Sequence, residues 1–185
     1  MMSKKISLLL TAMLFSLCVV AVVLWQVPYL LMAKSSQSVL DQVSGPNRFH
    51  FQALSKEGDT WIPSPNPDLL YSSLVFDLSQ SALRVEFPRY EQFWIAQFVG
   101  ENTDSFAYTG YRDAAFQNDQ SATQAVMLFY GERPNIDVDN SLKWIEAPSK
   151  TGLILVRHLV KDKRELAALD QLRRRSKAQE IAAEL

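Results

Sequence analysis

The sequence has a single cysteine, Cys18, and only six glycines in 185 residues. A single cysteine cannot form an intramolecular disulfide. Because Cys18 lies inside an apolar run, the rest of the chain has no thiol for nucleophilic or metal chemistry. There is also no phosphate-binding loop, dinucleotide fingerprint or Gly-x-Ser-x-Gly nucleophile elbow. These absences exclude cysteine enzymes and Cys-based zinc sites, and we expect no cofactor and no metal.

The sequence lacks an excess of charge of either sign, because 19 basic and 20 acidic residues give a net charge of -1. The charge is unevenly distributed along the chain. Residues 1–34 carry three Lys and no acid, residues 35–150 have a net charge of -7, and residues 151–185 have a net charge of +3. Nucleic acid binding requires clustered Lys and Arg, so the acidic body argues against a nucleic acid partner.

A long apolar run is present near the N-terminus. Residues 6–25 contain no charged side chain, and at about 1.5 Å per residue this stretch spans the ~30 Å hydrocarbon core of a bilayer. We predict one uncleaved transmembrane helix over about residues 6–33. A cleaved signal peptide is the alternative, but the run exceeds the usual signal core of about 7–15 residues, and the bulky residues 25–32 offer no small-x-small cleavage site.

The charges that flank the apolar run predict its orientation. Lys4 and Lys5 precede the run and only Lys34 follows it closely, so the positive-inside rule places the N-terminus in the cytoplasm. Trp25 and Tyr29 then lie where interfacial aromatic residues are enriched. We expect a single-pass protein of the bacterial inner membrane, with the lipid bilayer as its first partner and the soluble domain in the periplasm.

After the anchor, over residues 1–34, we predict a linker over 35–46 and one soluble domain over 47–185. The proline-dense segment 63–68 is incompatible with a helix. Runs of β-branched and aromatic residues predict six strands, at residues 69–78, 83–87, 93–99, 125–130, 142–145 and 152–159. Their spacing favours an α+β, mainly β fold, with an antiparallel sheet or sandwich and a C-terminal helix.

Residue patterns within these elements predict their environments. Strict alternation over residues 83–87 directs Leu83, Val85 and Phe87 to a core. The uninterrupted apolar run 152–156 predicts a central strand covered on both faces, and the C-terminal segment is the candidate cover.

The C-terminal segment has a helix start signal. Asp162 and Glu165 resemble a capping box, and leucines then recur at helical spacing from Leu166 to Leu172. The basic residues Arg173, Arg174, Arg175 and Lys177 leave little apolar stripe, so this end is expected to project into solvent.

Seven polar residues within strongly structured surroundings are the candidate ligand-binding residues: His50, Asn66, Asp68, Tyr71, Gln97, Asn102 and Asp104. Such side chains either tie loops to a sheet through hydrogen bonds or line a ligand pocket, and both interpretations stay open. His158 lies inside a predicted strand and is interpreted as structural. No short His ligand spacing is present, and a Ser-His-Asp triad stays open because triads assemble in space.

The same residues carry a family resemblance. In order, the sequence has NRFH at 47–50, PNPDLLYSS at 65–73, FDLS at 76–79, VEFP at 85–88, FWIAQF at 93–98, NTDSFAY at 102–108, LVR at 155–157 and ELAALDQL at 165–172. These motifs resemble the bacterial family called domain of unknown function 1254, over roughly residues 47–172. Leu69 stands where many relatives have Thr, which removes a possible hydroxyl ligand.

This resemblance implies a β-rich fold and no established activity. Many relatives continue into a second all-β domain, so a stand-alone chain implies an envelope protein partner that supplies the missing domain. We therefore predict a non-catalytic binding or assembly module for an envelope partner or a small ligand. The alternative is an envelope hydrolase with one polar pocket around His50, Asp68, Tyr71 and Asn102; whether the chain is an enzyme stays open.

Overall fold

The fold is a two-sheet β structure with a long N-terminal helix. The computed structural model describes residues 4–55, 65–113, 123–136 and 142–182. Its two α-helices are α1 (Lys4–Leu40) and α2 (Leu166–Arg173), with a 3₁₀ turn at Lys163–Glu165 just before α2. The strands are β1 (Phe49–Phe51), β2 (Leu69–Asp77), β3 (Ala82–Pro88), β4 (Trp94–Gly100), β5 (Ser105–Gly110), β6 (Thr123–Tyr130), β7 (Lys143–Ala147), β8 (Thr151–Leu159) and β9 (Lys177–Ile181).

The strands form two sheets that pack face to face. The five-stranded sheet has the order β1-β2-β8-β4-β5 and is antiparallel throughout. The four-stranded sheet has the order β7-β6-β3-β9, in which only β6 and β7 are parallel. The mainly β fold class with a short C-terminal helix is confirmed, and each of the six predicted strands is present.

The core lies between the inner faces of the two sheets. Leu83, Val85 and Phe87 of β3 are fully buried, as their alternation predicted. They pack against inward side chains of the five-stranded sheet, among them Trp94 and Phe98. Burying such apolar side chains stabilises the fold by about 1.5–3 kcal/mol each.

The outer face of the five-stranded sheet corrects one expectation. β8 is central, as predicted, but α1 and not the C-terminal segment contacts β2 and β8 on this face. Helix α2 instead closes one end of the sandwich, where Leu169 packs with Leu70 and Val160. Helix α2 packs there because its contact residue Leu70 points to the inner face of the sheet, beside His158, and not to the outer face.

The basic C-terminal segment corrects a second expectation. Asp162 does cap the 3₁₀ turn, since its carboxylate accepts a hydrogen bond from Arg164 N at 2.9 Å. The segment after α2 does not project into solvent, however. Arg173 is only 1 % exposed, and residues 177–181 form β9, which pairs with β3. The run of basic residues suggested a solvated tail and gave no sign that Arg173 is buried. A buried guanidinium is nevertheless stable when its donors are satisfied.

Helix α1 extends beyond the predicted span. It has 37 residues and therefore includes the first part of the segment predicted as a linker. At about 1.5 Å per residue it is about 55 Å long. Among the described helices, it is long and apolar enough to cross a membrane, and its apolar segment is not buried by the rest of the chain.

Candidate functional site

The first group of predicted site residues forms a turn at the start of β2. The hydroxyl oxygen of Tyr71 accepts a hydrogen bond from Asn66 N at 3.0 Å, and Asn66 Oδ1 accepts one from Asp68 N at 2.8 Å. The carbonyl of Asp68 accepts a bond from Val160 N at 2.8 Å. These bonds fix the end of the Pro-rich segment to the sheet, which is the structural one of the two interpretations given above.

The second group lies on the outer face of the five-stranded sheet. His50 is paired with Ser73 of β2, whereas Gln97 of β4 accepts a hydrogen bond from Arg157 Nη2 at 2.8 Å and donates one to Ser105 Oγ. Three inter-strand spacings separate β1 from β4, which is about 14 Å. His50 and Gln97 therefore share a face but not a site.

The third group occupies the turn between β4 and β5. Asn102 Nδ2 donates to Asp104 Oδ2 at 2.6 Å, and Asp104 N donates to Asn102 Oδ1 at 3.2 Å. This turn follows Gly100, which pairs with Gly152 at one end of β8. Asp68 lies at the other end, beside Val160, and the eight intervening steps along the strand correspond to about 26 Å.

The described strands thus keep the seven residues in four separate places, because His50 and Gln97 lie apart from each other on their shared face. The single polar pocket that the hydrolase alternative requires around His50, Asp68, Tyr71 and Asn102 is not formed. Their role as ligand-binding residues stays a prediction.

Arg173 is the polar residue that sequence reasoning missed. Its guanidinium donates to the carbonyl oxygens of Gln52, at 2.6 Å, and Tyr71, and to Ser72 Oγ at 3.2 Å. It also forms an ion pair with Asp170, one turn earlier in α2. The side chain therefore ties α2 to β2 and to the chain that follows β1. The spacing of Asp170 and Arg173 in a predicted helix was the available signal, because residues three apart lie on one helix face.

His158 is buried close to this network. Its ring stacks on Trp94, with centroids 6.1 Å apart, and lies 5.7 Å from the ring of Tyr90. Neither ring nitrogen has a hydrogen-bond partner among the described residues. Burial, together with the positive charge of Arg173, lowers the pKa of His158 to about 4.

This lowered pKa predicts a loss of stability in mild acid. The unfolded chain has a His pKa of about 6.5, so between pH 4 and 6.5 it binds more protons than the folded chain. The contribution of His158 is therefore fully present above pH 6.5, and the free energy of unfolding falls by up to roughly 3 kcal/mol as the pH drops through this window. Urea denaturation of the full chain at pH 7.5 and at pH 5 measures the difference.

The control for this experiment is His158→Phe, which keeps an aromatic ring against Trp94 and removes the titrating group. Most of the pH dependence should disappear in this variant. A residual part is expected from His50, whose pKa is also lowered, first by burial and then by Arg173 and Arg174. A variant with the same pH dependence as the parent chain would contradict the assignment to His158.

These features define the class of the protein. It is a β sandwich carried on an apolar N-terminal helix that could insert in a bilayer. The chain belongs to the family described as "Protein of unknown function (DUF1254)", whose model matches residues 46–180. The resemblance found in the sequence motifs is thereby confirmed. Comparison with curated proteins finds no match.

Two solved structures share the fold. One is the VPA0106 protein from Vibrio parahaemolyticus, with a TM-score of 0.58 and 11% identity over 81% of this chain. The other is an uncharacterized protein from Burkholderia cenocepacia, with a TM-score of 0.50 and 18% identity over 83% of this chain. This chain spans only 35% and 41% of their respective lengths.

Proposed function

We propose that this chain is a membrane-anchored, non-catalytic assembly module that presents its β sandwich to an envelope protein partner. The anchor is α1, and the sandwich faces the periplasm of a bacterium whose inner membrane holds the helix. The positive charges before the apolar run support this orientation. The observation that carries the proposal is that the helix packs directly on the sandwich.

The connection is made by helix packing and by a clamp. The later part of α1 contacts β2 and β8, and Met32 is buried there. After α1, the side chain of Asn47 accepts a hydrogen bond from Asp77 N at 2.9 Å and donates to Asp77 O at 3.0 Å and to Glu180 at 2.8 Å. A flexible linker would let the domain reorient freely relative to the helix. The packing of α1 and the hydrogen bonds of Asn47 favour one orientation instead.

A fixed position is useful to a module that must meet a partner in one geometry. The solved relatives are more than twice as long as the portion that this chain matches. Hydrolysis is not proposed, because acid-base partners must come within hydrogen-bond reach or one water of each other, and the described strands separate Asp68 from Asn102.

Covalent cross-linking in native cells, followed by capture from detergent-solubilised membranes, tests the assembly role. We expect one partner at a fixed ratio with the parent chain. Insertion of Gly-Gly-Ser after Ser44 should reduce its recovery strongly, because the insertion places a flexible segment between α1 and the residues that Asn47 ties to the sandwich. A matched control inserts the same tripeptide after Gly131, an exposed turn residue.

Two outcomes would contradict the proposal. One is a parent chain that captures no partner at a fixed ratio, and the other is equal capture by the Ser44 insertion variant. Orientation is tested separately, since a C-terminal reporter that folds only in the cytoplasm should be inactive.

A further inference from the structure

An open cleft lies between an edge strand of each sheet. Among the described strands, β1 pairs only with β2, and β9 pairs only with β3, so both have a free edge. The cleft that they line has a volume of about 520 Å³. This value falls in the range of about 300–1,000 Å³ that is typical of sites for small molecules.

The walls of the cleft are basic although the body of the chain is acidic. Arg48, Arg84 and Lys177 line it, with Glu86 as its acidic residue. Arg84 is neutralised by Glu86, at 2.9 Å. Arg48 and Lys177 have no side-chain hydrogen bond or ion pair with the residues that the structure describes. Three cations and one carboxylate give the lining a net charge of +2, and a concave site with this charge attracts an anion.

The floor of the cleft is apolar. The half-buried rings of Phe49 and Phe51 stack with their centroids 5.8 Å apart, and Ala178 of β9 lies nearby in the same lining. The face of Phe51 is also approached by the guanidinium of Arg174, at 5.3 Å from the ring centroid. The cleft therefore offers both cationic groups and an apolar surface, which together suit an anion that has an apolar body.

The backbone of β1 adds hydrogen-bond donors. Gln52 N donates to Tyr71 O of β2 at 3.2 Å. Backbone groups alternate in direction along an antiparallel edge strand, so the N–H and C=O groups of Phe49 and Phe51 both point away from β2 and toward the free edge. An anion can accept a hydrogen bond from one of these N–H groups, and the carbonyl groups beside them leave the edge without a net charge of its own.

We propose that this cleft binds an organic monocarboxylate with an aryl or alkyl body. Arg48 and Lys177 hold the carboxylate, and the stacked rings of Phe49 and Phe51 hold the apolar part. This inference goes beyond the assembly role proposed above, because it names a small ligand that the chain would bind in addition to its protein partner.

Calorimetric titration of the full chain in phosphatidylcholine nanodiscs tests the cleft. The probes are 4-phenylbutyrate and its neutral amide, and titrations of empty nanodiscs are subtracted. We expect the carboxylate to bind at least tenfold more tightly than the amide. The double variant Arg48→Gln, Lys177→Gln should weaken carboxylate binding by tenfold or more, because it removes both charge-assisted contacts. Added salt should also weaken binding, since the cations are accessible to solvent.

The matched control is Lys161→Gln, which removes an exposed positive charge just beyond β8. It should leave carboxylate affinity unchanged, and circular dichroism confirms that each variant is folded. Equal affinity for the acid and the amide, no binding by the parent chain, or full binding by the double variant would each overturn the cleft assignment.

The same preparations separate this inference from the assembly role. A chain that binds the carboxylate but captures no partner at a fixed ratio overturns the assembly role and leaves the cleft in place. A chain that captures its partner but does not distinguish the acid from the amide overturns the cleft alone.

Discussion

Replacement of Arg173 by alanine is expected to lower the free energy of unfolding by about 3–5 kcal/mol. The guanidinium satisfies the carbonyl oxygens of Gln52 and Tyr71 and is itself 1 % exposed. Its removal takes one charge-assisted hydrogen bond from each of these carbonyl oxygens and leaves Asp170 without its closest cation. Because the same side chain joins α2 to β2, we also expect the end of the sandwich to open.

Urea denaturation of the full chain, followed by tryptophan fluorescence, measures this loss. Arg175→Ala is the matched control, because Arg175 is exposed and its loss should change the stability by no more than about 0.5 kcal/mol. Arg173→Lys should recover only part of the loss, since an ammonium cannot reproduce the planar fork of a guanidinium. If the two alanine variants were equally stable, Arg173 would not hold these elements together.

The second large effect is expected at Gly152, on the central strand. A Cβ atom there would lie 2.3 Å from the carbonyl oxygen of Val99 and 2.4 Å from the ring of Phe76. Both neighbours are part of the packed sheet, so Gly152→Ala requires backbone or core movement. We expect a loss of about 3 kcal/mol or more, or failure to fold.

Gly100→Ala is a stringent control, because Gly100 is paired with Gly152 across the sheet. A Cβ atom at Gly100 would meet only side-chain atoms, at 3.2 and 3.3 Å. These can move by a few tenths of an ångström, so the loss should be clearly smaller. Thermal unfolding of the two variants side by side distinguishes them, and equal losses would contradict the close approach at Gly152.

The strands that could be predicted from sequence are those with long apolar or alternating patterns. β8 and β3 belong to this group, because burial on one or both faces dictates their residues. β1 has only three residues, and β9 reads KAQEI, which has no apolar alternation. Their pairing depends on neighbours that are distant in the sequence, and local patterns carry no such information.

The candidate residues could be found individually but not as a group. Asn66 and Asp68 were recognisable as turn residues, since Asx side chains bond to nearby backbone groups. That Asn102 lies at the opposite end of β8 follows from strand order alone, which a single sequence does not specify. The burial of Arg173 was hidden by its two basic neighbours, which make the segment resemble a solvated tail.

The position of β9 affects the order in which the two sheets can be completed while the chain is being synthesised. β3 is an inner strand only once residues 177–181 have paired with it, and Arg173 reaches Gln52 across 121 positions of the chain. Contacts between such distant segments form late, because long loops must close first. A chain that is still being synthesised therefore keeps the edge of β3 unpaired, where a chaperone can recognise it, until residues 177–181 have been added.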